Sequence, residues 1–328
     1  MPEVAFPWHA DVWSQLTEQS QHAHAYLFSG LPGVGKRRFA NAFAAFLLCD
    51  QPAQGMACGR CRSCLLREAG THPDLLLIAP EEEGKAIRVD AIRHLVDFMG
   101  QTSQQGGSKV IVLHPAEAMN QNAANALLKS LEEPTANTFL LLVTDQPARL
   151  LPTVRSRCRN QKLATPATQV ALAWLSEAAP ELNDQQRGIL LQMAGGAPLR
   201  AAALHGMDAV QLRAGVVENV KALLKDKQSA SQVADSWSKI PLELLIDWFC
   251  SWTLDLLKLQ TGAVAQATNS DMDVVLGYMA KHVAAQPLME WQDWLLAHRS
   301  MTLGKANLNR GLFLESLLLE WKRLLKKR

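Results

Sequence analysis

A glycine-rich stretch, GLPGVGKR, begins at Gly30 and has the spacing of a phosphate-binding loop. In the full pattern, GxxxxGK[ST], backbone N–H groups cradle phosphates, the lysine reaches the terminal phosphates and the final hydroxyl holds Mg²⁺. Gly30, Gly33, Gly35 and Lys36 retain the cradle and are the candidate nucleotide-binding residues. The final position is Arg37, which removes the Mg²⁺ ligand and places a permanent cation near the metal's position.

A second Mg²⁺ ligand is also missing from the sequence. It should be an acid at the end of a later apolar strand, and the strand that fits is VIVL, residues 110–113. The residues that follow it are His114 and Pro115, and Glu117, three residues beyond His114, is a poor substitute. We therefore expect a degenerate loop that binds and hydrolyses no ATP and that persists because it turns the chain from strand to helix.

Four cysteines, Cys49, Cys58, Cys61 and Cys64, follow the pattern C-x8-C-x2-C-x2-C. Thiolates at this density in a cytosolic protein indicate a tetrahedral zinc ion. With four cysteine ligands no coordination position stays open, so the zinc would be structural. Disulfides are the first alternative, disfavoured in a reducing compartment, and a redox CxxC pair is the second, although it would not need four thiols.

The elements around these motifs alternate between strand and helix. Short apolar segments predict strands at residues 25–29, 75–78, 109–113 and 138–143. Helical patterns fall between them at about residues 36–48, 89–100 and 120–133. This alternation predicts a parallel sheet with helices on its faces, and ligands of such sheets bind beyond the carboxyl ends of the strands.

The strand signals stop after about residue 165, which predicts three domains. Residues 1–165 would form an α/β domain that includes the cysteine module at about 49–64, and residues 166–207 a small helical domain. Residues 208–328 would form a larger helical domain, in which apolar residues recur at helical spacing. One such set is Ile246, Phe249, Cys250, Leu254 and Leu257.

Composition and charge exclude several classes of protein. The chain has 328 residues, 48% of them hydrophobic, and a formal net charge of +2, so it is folded and has no overall drive toward nucleic acid or membranes. The N-terminus lacks the pattern of a signal peptide, and no apolar run approaches the roughly 18 residues of a membrane span. We expect a cytoplasmic protein.

Several motifs, taken together and in this order, resemble the clamp-loader branch of the AAA+ ATPases. The resemblance covers about residues 8 to 200, and the last third of the chain matches mainly in length and helical character. The motifs are HAYLFSGLPGVGK at 24–36, the four-cysteine insertion, NALLKSLEEP at 125–134, Thr144, SRC at 156–158, GGAPLR at 195–200 and NLNRGLFLESLLLEW at 307–321.

The resemblance implies an AAA+ α/β domain, a helical lid and a helical collar that holds subunits together. It implies a five-membered ring with the tau/gamma and delta subunits of bacterial DNA polymerase III, which opens a sliding clamp and places it on primed DNA. ATP lies between neighbouring subunits, and Arg157 would be an arginine finger supplied in trans to the adjacent tau/gamma site. Thr144 and Arg200 stand at the family's two sensor positions, and a chain without its own ATP site would be a stator in a replisome at the nucleoid.

Two other functions remain as alternatives. The first is a self-sufficient AAA+ ATPase of the tau/gamma type, against which Arg37 and His114 argue. The second is a zinc-dependent nucleic-acid-binding module, which would predict salt-sensitive DNA affinity. Polymerase catalysis would need an acidic metal-binding pair in a polymerase fold, and the sequence contains none that we recognise. We therefore expect this chain not to be an enzyme by itself, so any polymerase activity belongs to the holoenzyme.

Overall fold

The computed structural model describes residues 5–82, 84–262, 268–303 and 309–325, with backbone only for 300–303. The chain divides into two compact units, Met1–Ala203 and Leu204–Arg328. Separation of residues 166–207 as a domain of their own stays a prediction. Asn307 and Leu308, the first residues of the last family-like motif, lie outside the described residues.

The first unit contains a five-stranded sheet whose paired strands are all parallel. The strand order is β2-β3-β4-β1-β5. The strands are β1 (Ala25–Ser29), β2 (Leu75–Ile78), β3 (Lys109–Leu113), β4 (Thr138–Thr144) and β5 (Arg159–Lys162). The predicted parallel sheet is confirmed, and β5 is an additional strand that the apolar patterns did not predict.

Alternation along the central strands gives the sheet two buried faces. On one face, apolar residues such as Leu27, Ile111 and Leu140 pack with the helix residues Leu95 and Leu127. On the other face, strand residues pack with the helix that follows the glycine-rich loop. These residues include Tyr26, Phe28, Val112 and Val143 from the strands and Phe39 and Phe43 from the helix. Burial of both faces explains why the central strands are continuous apolar runs.

The helices of the first unit cover these faces and continue beyond the sheet. They are α1 (Ala10–Thr17), α2 (Lys36–Leu48), α3 (Arg62–Glu68), α4 (Val89–Gly100), α5 (Gln121–Glu132), α6 (Pro152–Arg155), α7 (Thr168–Ala178), α8 (Asp184–Met193) and the first part of α9 (Pro198–Gly206). The predicted helices at 36–48 and 89–100 have the expected bounds, and the one at 120–133 begins and ends one residue further inside.

Helices build the described part of the second unit. They are α10 (Ala209–Leu224), α11 (Ala230–Ser236), α12 (Leu242–Gln260), α13 (Asp273–His282), α14 (Ala285–Leu303) and α15 (Arg310–Arg323). Their core is rich in aromatic rings, with Phe249 in contact with Trp237, Trp252, Trp291 and Trp321. Among the residues described, none of the helices combines the length and the apolar character needed to span a bilayer.

Candidate functional site

The glycine-rich loop joins the carboxyl end of β1 to the start of α2. β1 pairs with β4 in a register that sets Ser29 opposite Thr144, so Asp145 follows β4 at the same edge of the sheet. Gly35 is the residue before α2, and its φ of +95° belongs to the left-handed region that favours glycine. The loop therefore has the predicted position, at the carboxyl edge of a parallel sheet.

The Lys36 ammonium is bound within the protein. It donates hydrogen bonds to the carbonyl oxygens of Gly30 (2.9 Å) and Leu31 (2.6 Å), and it forms an ion pair with Asp145. Only 3% of the Lys36 side chain is exposed. An ammonium has three N–H donors, and these three partners account for all of them.

A second acid at the same edge, Glu117, supports this ion pair. Asp145 comes directly after Thr144, which is fully buried and whose hydroxyl accepts a hydrogen bond from the Gln146 N–H (3.1 Å). The Asp145 N–H donates to the Glu117 carboxylate (3.0 Å). Glu117, which the sequence offered only as a poor Mg²⁺ ligand, thus binds the backbone of the residue that pairs with Lys36.

The glycines of the loop are in close contact with other segments of the first unit. A Cβ on Gly33, whose φ is +81°, would lie 2.5 Å from the backbone nitrogen of Arg200, and the Leu199 N–H donates to the Gly33 carbonyl (3.1 Å). A Cβ on Gly35 would lie 2.5 Å from the Phe6 ring. The start of α9 and the N-terminal segment therefore occupy the space next to the loop.

An aromatic cluster that includes residues of the N-terminal segment packs against the loop. Phe6 and Trp8 stack at 4.5 Å, Trp174 of α7 packs edge-on against both, and the Trp8 indole donates to the Val34 carbonyl (2.9 Å). His9 is buried beside them with neither ring nitrogen hydrogen-bonded. Burial lowers the pKa of His9 to about 4, with a smaller contribution from the Lys36 charge, so the ring is neutral at pH 7.

Arg37 and His114, the two residues that depart from the metal-binding pattern, interact electrostatically. Arg37 is exposed in the first turn of α2, and His114 follows β3 at the carboxyl edge of the sheet. Burial lowers the pKa of His114; Asp145 opposes that shift and the Arg37 charge adds to it. In the full phosphate-loop pattern this region holds Mg²⁺, and in this chain it contains Arg37 and His114.

Arg157 lies at the opposite end of the sheet from the loop. In β5, Arg159 pairs with Tyr26 near the start of β1, and Lys162 pairs with Ser29 at its end. Arg157 therefore precedes the amino end of β5, and a four-residue strand spans about 13 Å. Its guanidinium donates to the Thr153 carbonyl (3.0 Å), forms an ion pair with Glu132 (2.5 Å) and remains 35% exposed.

The four predicted cysteine ligands come together. Their sulfur atoms all lie within 4.8 Å of one another, and the Cys49 and Cys61 sulfurs are 4.0 Å apart. Tetrahedral zinc with 2.3 Å bonds would set sulfur atoms about 3.8 Å apart, so the arrangement fits such an ion. Backbone N–H groups of Cys58, Cys61 and Cys64 donate to the sulfurs of Cys49, Cys58 and Cys61 respectively, which stabilises thiolates.

The thiols of this cluster differ in their acidity. Burial raises the pKa of Cys64 to about 12 and also raises that of Cys49. Hydrogen bonds from the backbone of Arg60 and Cys61 lower the pKa of the half-buried Cys58 to about 6. All six cysteines of the chain are free thiols, so no disulfide competes for these sulfurs. The four residues can hold a metal ion, and a divalent cation would supply the charge that favours the buried thiolates.

Three features of these sites were not predicted from the sequence. They are the Asp145 partner of Lys36, the Glu132 partner of Arg157 and the aromatic cluster around the loop. Only Asp145 had a signal, because it directly follows a strand whose carboxyl end lies beside the loop. Cys158 and Cys250 are separate from the cluster, and burial raises the pKa of these thiols to about 12 and about 11, which fits packing residues.

The fold and the loop define the class of protein, which is an AAA+, P-loop NTPase-like α/β domain followed in the chain by a helical C-terminal domain. Family models agree with this class. A model described as DNA polymerase III, delta subunit, matches residues 8–167, and one described as DNA polymerase III, delta subunit, C terminal, matches residues 207–323.

Curated relatives extend over nearly the whole chain. A DNA polymerase III subunit delta' from Pseudomonas aeruginosa is 50% identical, with 96% of this chain and 97% of the relative covered. One from Escherichia coli K12 is 35% identical, with 96% and 94% covered. The chain belongs to the delta-prime subunit family of DNA polymerase III, in the clamp-loader branch.

A solved structure of a DNA polymerase III gamma subunit-related protein from Thermotoga maritima is a more distant match. It is 19% identical, with a TM-score of 0.44, and 96% of this chain and 99% of that chain are covered. The family assignment rests on the curated relatives and the family models.

Proposed function

We propose that this chain is a non-hydrolysing stator of the clamp loader. The observation that carries the proposal is the internal binding of the Lys36 ammonium by Gly30, Leu31 and Asp145. A lysine whose three donors are satisfied by its own chain would have to break its ion pair before it could reach a phosphate. With Arg37 and His114 at the metal-binding positions, the chain gains no Mg²⁺ contact in return.

Arg157 is the residue that would act on a neighbouring subunit. Its position at the amino end of β5 separates it from this chain's own loop, and its partly exposed guanidinium suits contact with another molecule. An arginine supplied in trans stabilises charge on the transferred phosphoryl group. We assign it to the ATP site of an adjacent tau/gamma subunit, with the delta subunit, the sliding clamp and primed DNA as further partners of the ring.

The cysteine cluster would hold one structural zinc ion through Cys49, Cys58, Cys61 and Cys64. Zinc bound by four thiolates acts as a cross-link and offers no position for a substrate. The module would then join the end of α2 to α3. Thr144 and Arg200 would be structural remnants of sensor positions, residues 166–207 a lid, and residues 208–328 a collar that assembles the ring in the cytoplasm at the nucleoid.

Calorimetric titration of the purified chain with Mg-ATP, with zinc measured in the same sample, tests the first part. We expect no heat of binding at micromolar nucleotide and about one zinc per chain. Micromolar Mg-ATP binding would instead favour the alternative, a self-sufficient ATPase of the tau/gamma type.

Arg157→Ala in a reconstituted ring tests the second part. Hydrolysis at the one neighbouring ATP site should slow by about 10³-fold, so the ring's DNA-stimulated ATPase should lose that site's share and clamp loading should fall. Arg157→Lys should restore little, because lysine cannot form the bidentate contact. Arg155→Ala, an exposed arginine two residues away, is the matched control. Loading at the normal rate by the Arg157→Ala ring would refute the assignment.

A further inference from the structure

A chain of buried polar groups connects the cysteine cluster to the edge of the sheet. The Ser63 hydroxyl bonds to the Leu48 carbonyl (2.5 Å) and to Nε2 of His72 (2.7 Å). Nδ1 of His72 bonds to the Asp74 N–H (3.1 Å). Ser63, His72 and Asp74 are 3%, 6% and 1% exposed, so the chain is shielded from water along its length. Buried polar groups of this kind destabilise a protein unless they are paired, and here they are.

The direction of each hydrogen bond follows from its partners. A backbone N–H can only donate, so Nδ1 of His72 accepts from Asp74 and the ring proton is on Nε2. Nε2–H then donates to the Ser63 oxygen, and the Ser63 proton donates to the Leu48 carbonyl. His72 is thus a neutral ring of one defined tautomer, and each group in the chain fixes the orientation of the next.

One end of this hydrogen-bond chain lies at the segments that carry the proposed cysteine ligands. Leu48 is the last residue of α2 and precedes Cys49, and Ser63 precedes Cys64 in α3. The Ser63 hydroxyl therefore joins the two segments through a carbonyl at the end of α2. The sulfurs give a further link, because Cys49 Sγ lies 4.0 Å from the sulfur of Cys61, the residue before α3.

The other end of the hydrogen-bond chain, at Asp74, is anchored to the sheet. The Asp74 carboxylate accepts from the Ser103 hydroxyl (2.9 Å) and from the N–H groups of Gln104 (2.8 Å) and Gln105 (2.9 Å). The Asp74 carbonyl accepts from the N–H of Val110 in β3 (2.9 Å). The position of His72 is therefore fixed by the sheet rather than by the cysteine module.

We propose that His72 and Ser63 are positioning residues for the metal site, which hold the Cys49 and Cys64 segments in ligating geometry against the rigid edge of the sheet. The inference rests on the proposed zinc site. Groups that hydrogen-bond the ligands of a metal contribute about 10- to 100-fold to the metal affinity. Here the contribution acts through the backbone that carries the ligands, because Ser63 contacts the Leu48 carbonyl rather than a sulfur.

The test is the rate at which the full-length chain releases zinc to excess chelator, followed by the colour of the chelator complex at pH 7.5. Ser63→Ala removes the central hydroxyl and should speed release about 10-fold. Two substitutions at His72 separate its two bonds. His72→Gln can still donate to Ser63 but lacks the bond from Asp74, so its release rate should lie between those of wild type and Ser63→Ala. His72→Asn can still accept from Asp74 but does not reach Ser63, so release should quicken as in Ser63→Ala.

Ser103→Ala is the matched control, since it removes a hydrogen bond from the other side of Asp74 and leaves the Ser63–Leu48 contact in place. The thermal midpoint of every variant is measured beside its release rate, so that general loss of stability is distinguished from loss of the metal geometry. Equal release by wild type and Ser63→Ala, or equal acceleration in Ser103→Ala and Ser63→Ala, would overturn the inference while the zinc site stands. A wild-type chain without zinc would overturn both.

Discussion

The phosphate loop and the cysteine cluster are both short motifs with a known chemistry, and they differ in what their reactive groups contact. In the loop, Lys36 has its donors satisfied by Gly30, Leu31 and Asp145 of the same chain. In the cluster, four sulfurs lie within 4.8 Å of one another, and backbone N–H groups of Cys58, Cys61 and Cys64 donate to three of them. The reactive group of the loop is thus engaged by its own chain, whereas those of the cluster converge on one point.

The same difference appears in the space around the two motifs. Phe6 and the start of α9 at Arg200 fill the space that side chains on Gly35 and Gly33 would occupy. The cysteines surround a point that fits one ion, with sulfur separations close to those of a tetrahedral site. The loop glycines are packed against their own chain, whereas the four cysteine sulfurs converge on a point that one ion could occupy. Three experiments test this comparison.

Removal of one cysteine ligand should have the largest effect. Cys64→Ser should reduce the zinc content from about one per chain to near zero and lower the thermal midpoint of the first unit, because metal binding free energy is folding free energy in such modules. Metal analysis after gel filtration and thermal unfolding measure the two effects. Cys250→Ser, a matched change outside the cluster, should keep its zinc. Full zinc content in Cys64→Ser would contradict the four-cysteine site.

Loss of the Lys36 ammonium should destabilise the fold rather than remove an activity. Lys36→Met leaves Asp145 and two carbonyls without their partner and should lower the free energy of unfolding by about 3 kcal/mol. Arg37→Met, an exposed cation beside it, should change it by less than about 0.5 kcal/mol. Denaturant titration measures both variants. If Lys36→Met were as stable as wild type but abolished Mg-ATP binding, the loop would be a working nucleotide site.

Acid should lower the free energy of unfolding through His9, which is buried beside the loop. Its pKa is lowered to about 4 in the folded chain against an ordinary value of 6.5, so the unfolded chain binds more protons between these values. The stabilisation is therefore complete above pH 6.5 and is lost as the pH falls, by about 2 kcal/mol between pH 7.5 and 5. Denaturant titration of wild type and His9→Phe at both pH values isolates the contribution of His9 to the loss of stability. Equal acid sensitivity in both would show that His9 is not buried as a neutral ring.

Prediction from sequence succeeded for elements with a regular apolar pattern. It failed for elements whose residues are mainly polar and whose position depends on pairing with other segments. The apolar runs of β1, β3 and β4 were found because both faces of those strands are buried. The edge strand β2 was found from its apolar sequence alone, since Leu77 is exposed. β5, with the sequence RNQK, was missed because it is a largely exposed edge strand without an apolar signal. Pairing with β1 specifies it, and that pairing depends on residues more than 130 positions earlier in the chain.

Helix α12 shows the same limit in the second unit. Helical spacing predicted Leu254 on the apolar face, but it is 48% exposed, whereas its neighbour Asp255 is 1% exposed. The Asp255 carboxylate accepts from the backbone N–H groups of Thr268 (2.7 Å) and Asn269 (2.8 Å) and from Lys258 (3.0 Å). A buried carboxylate with this many donors is stable, and no periodicity of apolar residues can show that those donors will be there.

The sequence by itself determined the class of this protein: the glycine-rich loop without its Mg²⁺ ligands, the four cysteines, the SRC motif and the order of strands and helices are all local patterns. Tertiary structure alone decided that Lys36 pairs with Asp145, that Glu132 pairs with Arg157, and that Ser63 joins the Cys64 segment to the end of α2. The physical reason is range. Periodicity and turn chemistry act over a few residues, whereas hydrogen-bond partners and ion pairs are set by packing between segments that lie far apart in the chain.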